Sequence, residues 1–134
     1  MDATQDPWWI ITSAALALHG IPLIDVADVD VLGSERDVQR ILLQLDCPIR
    51  RGASSPKFRS AVFATWRSPA LNVDLMAGFE VRLGGSWRHI APATRVPITI
   101  GDATLFVPDR AELTSMLGWF GRPKDIKRAR LLAS

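Results

Sequence analysis

The run Asp28-Val29-Asp30-Val31, in which acids and valines alternate, constrains the fold more than any other stretch of this chain. Side chains two positions apart on a β-strand project from the same face, so the two aspartates are neighbours and the two valines point to the core. The pattern therefore predicts a strand that carries two carboxylates on one rim.

A second predicted strand, from Leu71 to Met76, carries one acid among apolar residues, at Asp74. Burying a lone carboxylate in the middle of a sheet is unfavourable, and the cost falls if a cation or an arginine lies against it. If this strand lies beside the first one, we expect Asp28, Asp30 and Asp74 to converge on one point.

The remaining patterns predict an α+β fold with a mixed or mostly antiparallel sheet. They indicate an N-terminal strand, a short helix, the acidic strand, a helix capped by Ser34, and then a series of strands. The stretch from Cys47 to Lys57 has turn residues and predicts an exposed loop. Further strands are predicted at Phe58–Trp66, Leu71–Met76, Phe79–Leu83, Arg95–Ile100 and Thr104–Val107, and helices after Asp109 and from Pro123.

Length and composition are those of a globular protein. A chain of 134 residues fits one domain, 1–134, and 48% of its residues are hydrophobic. The longest apolar stretch, from Trp8 to Ile24, is interrupted by polar residues, glycine and proline, so no membrane span is predicted. Asp2 and Asp6 stand where a cleaved leader carries positive charge, so we expect a cytoplasmic protein.

Charge is distributed unevenly along the chain. Residues 1–35 hold six acids and no lysine or arginine, whereas residues 36–134 hold all sixteen basic residues and eight acids. Thirteen of the sixteen are arginines, which suit the binding of phosphates. The pattern is compatible with a metal centre that receives a polyphosphate or nucleic acid, and equally with a solvated arginine-rich surface.

Three neighbouring carboxylates repel one another unless positive charge lies between them. Mg²⁺ prefers oxygen ligands and is commonly held by one or two carboxylates together with substrate phosphates. The interpretation is that Asp28, Asp30 and Asp74 bind Mg²⁺ or Mn²⁺ and act as the catalytic carboxylates, with Asp74 helping to deprotonate a nucleophile. An Asp-x-Asp pair alone is often only a turn or a helix cap.

A turn at Thr12-Ser13 precedes the first predicted helix, whose N-terminal amides are a ready anion site. Thr12 and Ser13 are therefore candidates for nucleotide binding, Ser13 through its hydroxyl. The alternative is that Ser13 is only the N-cap of the helix.

These motifs together resemble the nucleotidyltransferase superfamily, whose pattern is a Gly-Ser turn opening a helix, an Asp-x-Asp strand and a third aspartate on a neighbouring strand. Thr12 stands at the position that is usually glycine. The run Gly121-Arg122-Pro123-Lys124-Asp125-Ile126 is similar to a helix start in the toxin-type nucleotidyltransferases of abortive-infection toxin-antitoxin systems. The likeness covers most of the chain.

The resemblance implies a minimal nucleotidyltransferase fold, like the palm of polymerase beta, with a mixed sheet flanked by helices. It implies that Lys124 contacts a nucleoside triphosphate and that Asp125 orients that lysine or an acceptor group. Asp125 could instead complement the helix N-terminus while Lys124 lies in solvent. The implied partners are a nucleoside triphosphate, an acceptor such as tRNA or another RNA, and a partner protein such as an antitoxin.

The resemblance leaves three functions open. The first is metal-dependent transfer of a nucleotidyl group to RNA, protein or a small molecule, with a toxin-antitoxin role. The second is modification of an antibiotic, which an acidic acceptor pocket would support; the basic residues after the acidic strand favour a nucleic acid instead. The third is a non-catalytic relative that binds a nucleotide or a partner, which the threonine at position 12 favours.

Overall fold

A mixed sheet of seven strands organises the chain. The computed structural model describes residues 4–22, 24–67 and 70–133. In chain order the elements are β1 Trp9–Ile11, α1 Thr12–Leu18, β2 Asp28–Leu32, α2 Glu35–Gln44, β3 Arg50–Ser54, β4 Phe58–Arg67, β5 Asn72–Ala77, β6 Glu80–Leu83, β7 Ser86–His89, β8 Val96–Ile100, β9 Ala103–Val107, α3 Arg110–Phe120 and α4 Pro123–Ala133.

The strand order of this sheet is β1-β2-β5-β4-β6-β7, and β3 pairs with β4. The pair β2–β5 is parallel, and the other pairs in the sheet are antiparallel. Strands β8 and β9 form a separate antiparallel hairpin. The predicted α+β class with a mixed sheet is confirmed.

Helix α2, which the sequence pattern predicted after Ser34, packs on the central strands. Ser34 is its N-cap, and the Ser34 hydroxyl accepts a hydrogen bond from the Asp37 backbone N–H at 3.2 Å. Val38 and Leu42 are fully buried, and the helix packs against β4 and β5. Each such side chain stabilises the fold by about 1.5–3 kcal/mol through removal from water.

The two C-terminal helices begin where the sequence predicted. The Asp109 carboxylate caps α3 by accepting a hydrogen bond from the Glu112 N–H at 2.8 Å. Helix α3 ends at Phe120, and its C-cap Gly121 has a φ of 68°, the left-handed conformation that glycine adopts without a steric cost. Pro123 then opens α4. No helix in the described ranges is long and apolar enough to cross a membrane.

Two short strands were not predicted. The stretch from Cys47 to Lys57 was expected to be a loop, which is wrong, because it contains β3. Side chains on β3 are mostly exposed, and the strand is held through its pairing with β4, so no apolar alternation marks it in the sequence. Strand β7 is likewise mostly exposed and pairs with β6.

Candidate active site

Two aspartates lie side by side where β2 and β5 run parallel. The register places Asp30 opposite Asp74, and Asp28 opposite Asn72. Paired residues in register project from the same face of a sheet, and Asp30 and Asp74 line the same two cavities. The two acidic strands are therefore neighbours, which is the condition under which we expected the acids to converge.

Each of these carboxylates is positioned by a threonine hydroxyl. Thr65 Oγ1 on β4 donates a hydrogen bond to Asp74 Oδ1 at 2.6 Å. Thr12 Oγ1 donates to Asp30 Oδ2 at 2.5 Å, and it also lies 2.7 Å from the Ile11 carbonyl oxygen. The sequence analysis missed Thr65, although the antiparallel pairing of β4 with β5 places it directly beside Asp74.

Burial raises the pKa of the Asp30 carboxyl above its ordinary value, and the charges of Asp74 and Asp28 raise it further. The Thr12 hydrogen bond acts in the opposite direction because it stabilises the carboxylate. Repulsion between the acids is thus present in the folded protein, as the sequence analysis expected. A positive ion beside the aspartates would offset this repulsion.

Asp28 lies farther out than the other two acids. It is the exposed first residue of β2, and two strand positions separate it from Asp30 by about 6.6 Å along the strand. Among the described residues, no three His, Cys, Asp or Glu side chains form a group that could hold a metal ion. Asp28 therefore does not complete a three-carboxylate cluster in this structure, and its part in metal binding stays a prediction.

Asp30 and Asp74 line two cavities. The larger has a volume of about 440 Å³ and the smaller of about 240 Å³. Both are lined by Thr12, Asp30, Asp74 and Arg122. The smaller cavity is also lined by Ser13, Asp25, Ala27, Asp28, Lys124 and Arg128. Six of the seven residues that the sequence nominated therefore surround the smaller cavity, and the seventh, Asp125, does not line it.

Thr12 has an unusual backbone conformation at the start of α1. Its φ is 61°, in the left-handed region, which costs a β-branched residue about 1–2 kcal/mol. Position 12 is usually glycine in the nucleotidyltransferase superfamily, which the sequence resembles, and glycine adopts this conformation without the cost. Ser13 is the second residue of α1, and Ile11 occupies the N-cap position, so the alternative that Ser13 is an N-cap is wrong.

Asp125 is fully buried and binds Arg122. Its carboxylate accepts hydrogen bonds from Arg122 Nε at 2.5 Å, from the second guanidinium nitrogen at 3.1 Å, and from the Arg122 backbone N–H at 3.2 Å. The expectation that Asp125 orients Lys124 is therefore wrong, because adjacent side chains on a helix point apart, whereas those three positions apart are neighbours. Lys124 is exposed at the mouth of the smaller cavity.

Arg122 is the cation that the sequence analysis missed. Its guanidinium lies 5.0 Å from the centre of the Phe58 ring and lines both cavities. The sequence contained one signal for this residue: Arg122 stands three positions before Asp125 at the start of a helix, a spacing typical of an ion pair. The bond to the Arg122 backbone N–H also agrees with the alternative in which Asp125 complements the N-terminus of α4.

Comparisons by sequence identify no relative: no family model and no curated protein matches the chain. Comparison of structures finds solved proteins of similar fold. A Thermotoga maritima protein assigned as a nucleotidyltransferase is 19% identical, with a TM-score of 0.78 over 97% of this chain and 83% of that one.

Two antibiotic-related proteins are also similar in structure. The antibiotic-resistance factor ANT(2'')-Ia is 12% identical, with a TM-score of 0.60 over 98% of this chain and 76% of that one. A lincosamide antibiotic adenylyltransferase, solved with lincomycin bound, is 10% identical, with a TM-score of 0.61 over 97% and 87%. On this likeness of structure, the chain has the nucleotidyltransferase fold.

Proposed function

We propose that the chain is a metal-dependent nucleotidyltransferase that moves a nucleotidyl group from a nucleoside triphosphate to a hydroxyl of an RNA, protein or small-molecule acceptor. One observation carries the proposal: Asp30 and Asp74 lie side by side at the junction of two cavities. A transfer reaction needs two substrates that meet at one set of charged groups. This junction offers such a place.

The smaller cavity suits the triphosphate. Lys124 and Arg128 supply positive charge at its wall, and the Ser13 side chain also lines it. Arg122 stands between this cavity and the larger one, where a guanidinium can bind phosphate oxygens through two parallel hydrogen bonds. The triphosphate would thus lie with its reacting phosphate near the paired aspartates.

The carboxylates fit a hard divalent cation. Asp30 and Asp74 would hold Mg²⁺ or Mn²⁺, with Asp28 as a further ligand on the side of the smaller cavity. Two protein carboxylates are enough when substrate phosphates complete the coordination, so a closed protein cage is not needed. When bound, the cation would neutralise negative charge on the triphosphate and on the leaving pyrophosphate.

The acceptor hydroxyl would approach from the larger cavity. Its oxygen forms a bond to the α-phosphorus while the bond from that phosphorus to the β-phosphate oxygen breaks, and pyrophosphate leaves. The hydroxyl proton passes to the Asp74 carboxylate, which Thr65 holds in place. Arg122 stabilises the charge that develops on the transferred phosphoryl group.

Two labels on the same triphosphate test this proposal. The protein is incubated with Mg²⁺ or Mn²⁺, with nucleoside triphosphates labelled at the α- or the γ-phosphate, and with tRNA, total protein or small acceptors. We expect label from the α-position on an acceptor, with equimolar release of pyrophosphate, and none from the γ-position. Transfer of the γ-label would show a kinase instead. Nucleotide binding without transfer to any acceptor would show a non-catalytic protein.

The other functions that the sequence left open have some support of their own. The antibiotic-related neighbours favour a small-molecule acceptor. The strained threonine at position 12 favours a non-catalytic nucleotide- or partner-binding protein. A toxin-antitoxin role, an antitoxin partner and a cytoplasmic location remain predictions from the sequence.

Thr12 provides a test of how Asp30 is positioned. Thr12→Val keeps the branched shape but removes the hydroxyl that contacts Asp30, whereas Thr12→Ser keeps the hydroxyl. Groups that orient a metal-binding carboxylate contribute about 10- to 100-fold to activity or metal affinity, so we expect Thr12→Val to lower the transfer rate by about 10-fold relative to Thr12→Ser. Initial rates and melting temperatures of both variants check this. Equal rates would assign the hydroxyl no positioning role.

A further inference from the structure

The larger cavity contains a hydroxyl group that the fold itself does not use. Ser60, on β4, is only 6% exposed and lines this cavity. Among the described residues, the Ser60 hydroxyl makes no hydrogen bond, whereas every polar side-chain atom that is fully buried has a partner. Ala53, opposite Ser60 in the register of β3 and β4, presents only a methyl group. The hydroxyl oxygen is therefore accessible, and it opens on the cavity.

Guanidinium groups cover two aromatic rings of the same cavity. Arg122 lies 5.0 Å from the centre of the Phe58 ring, and Arg50 lies 5.9 Å from the centre of the Phe63 ring. All four residues line the cavity. Attraction between each guanidinium and its ring helps to hold the cation in place. The wall at these two points thus offers charged N–H donors to a ligand.

Arginines outnumber acids in this wall. Arg50, Arg59 and Arg122 line the cavity, and its acids among the described residues are Asp30 and Asp74, which the proposed function assigns to a cation. Of the three arginines, Arg50 alone makes no ion pair with an acid of the described chain. A free guanidinium binds a carboxylate or a phosphate through two parallel hydrogen bonds. An ammonium group at the same place would meet like charge.

We propose that the larger cavity takes as its acceptor a small hydroxyl compound that carries a carboxylate or a phosphate group. This inference rests on the proposed function and names its acceptor class. The acidic group lies at Arg50, and the Ser60 hydroxyl binds a second polar group of the acceptor. An acceptor hydroxyl faces Asp74: its oxygen bonds to the α-phosphorus of the triphosphate, its proton passes to Asp74, and pyrophosphate leaves. The volume of about 440 Å³ is in the range of pockets for small molecules.

Four probes with one carbon skeleton test this inference without any requirement for turnover. Glucose is compared with glucosamine, with glucuronate, and with glucose phosphorylated at its primary hydroxyl, by calorimetric titration with Mg²⁺ at fixed ionic strength. We expect the Kd of at least one anionic probe to be about ten-fold or more below that of glucose, because a charge-assisted pair is gained. Glucosamine should bind more weakly than glucose. The two anionic probes show whether carboxylate or phosphate is preferred.

Matched variants locate the two polar contacts. We expect Arg50→Gln to raise the Kd of the preferred anionic probe about ten-fold or more and to leave that of glucose within about two-fold. Its control is Arg82→Gln, because Arg82 is exposed on β6 and does not line the cavity. Ser60→Ala should raise the Kd of that probe about five-fold without lowering the melting temperature, since no hydrogen bond within the protein is lost. Its control is Ser86→Ala, at an exposed position on β7.

A triphosphate analogue with an uncleavable bridge between its α- and β-phosphates shows which cavity holds the probe. The two ligands occupy different cavities in this inference, so the Kd of the anionic probe should change by less than about three-fold when the analogue is saturating. Displacement of the probe by the analogue would place the anion in the smaller cavity and overturn the inference.

The remaining outcomes separate this inference from the proposed function. Equal affinity for the anionic probes and glucose, or anion binding that is unaffected by Arg50→Gln and Ser60→Ala, would overturn the inference. Transfer of the α-label to some other acceptor would then leave the proposed function standing. Anion binding that depends on Arg50 and Ser60, without transfer to any acceptor, would support the binding site and contradict the proposed function.

Discussion

Asp74→Asn is expected to lower the rate of nucleotidyl transfer by about 10²–10³-fold while leaving the affinity for the triphosphate within several-fold of the wild type. Asparagine keeps the size of the side chain and an oxygen that can accept from Thr65. It cannot carry the negative charge or accept the proton of the acceptor hydroxyl. Rates of α-label transfer, measured beside calorimetric titration of the nucleotide, check both parts.

The same substitution should not weaken the fold. Burial is the largest cause of the raised pKa of Asp30, and repulsion by Asp74 raises this pKa further. Removing the charge of Asp74 therefore removes an unfavourable interaction from the folded state. We expect a melting temperature equal to or above that of the wild type. The control is Asp102→Asn, which removes one exposed charge in the turn between β8 and β9. An Asp74→Asn variant that transfers label at the wild-type rate would remove the basis of the proposed mechanism.

Arg122→Met is expected to reduce both stability and transfer. The substitution leaves the fully buried Asp125 carboxylate without its guanidinium. Losing one partner of a buried ion pair costs about 3–5 kcal/mol, but the Arg122 side chain is 38% exposed, so we expect about 2 kcal/mol. Chemical denaturation measures this loss. We also expect transfer to fall by about 10²-fold because a cation at the junction of the cavities is gone.

A double variant separates these two effects. Arg122→Met combined with Asp125→Leu removes both charges and should recover most of the lost stability, because no unpaired carboxylate remains. Transfer should stay low. Arg130→Met, an exposed change in α4, is the matched control. If the double variant regained the wild-type transfer rate, Arg122 would have only a structural role.

The acidic strands show what the sequence could predict and what it could not. Alternation in β2 and β5 determines which side chains share a face, and that much follows from strand geometry alone. The parallel pairing that places Asp30 beside Asp74 depends on contacts between residues far apart in the chain, which no local pattern encodes. The sequence supported that pairing only through a resemblance. The polar β3 gave no signal, because exposed side chains on a strand need not alternate.

The start of α4 shows a different kind of error. The resemblance assigned Asp125 to the adjacent Lys124 or to an acceptor group, although helix geometry places residue i next to i+3 and not next to i+1. Applying that rule would have selected Arg122, which the structure pairs with Asp125. The left-handed conformation of Thr12 could also have been predicted from the sequence, since a position usually held by glycine often requires a positive φ.

The parallel pairing of β2 with β5 has a consequence for how the protein folds. Asp30 and Asp74 are paired in register although 43 residues lie between them in the chain, and these residues include α2, β3 and β4. Closing a loop of that length costs about 3 kcal/mol of chain entropy beyond a constant contribution, and this cost precedes any stabilisation by the strand pairing. Local pieces of the chain can form helices and hairpins quickly, but non-local pairing is slow. The paired carboxylates therefore arise only with the completed central sheet, and a partly folded chain has no such site.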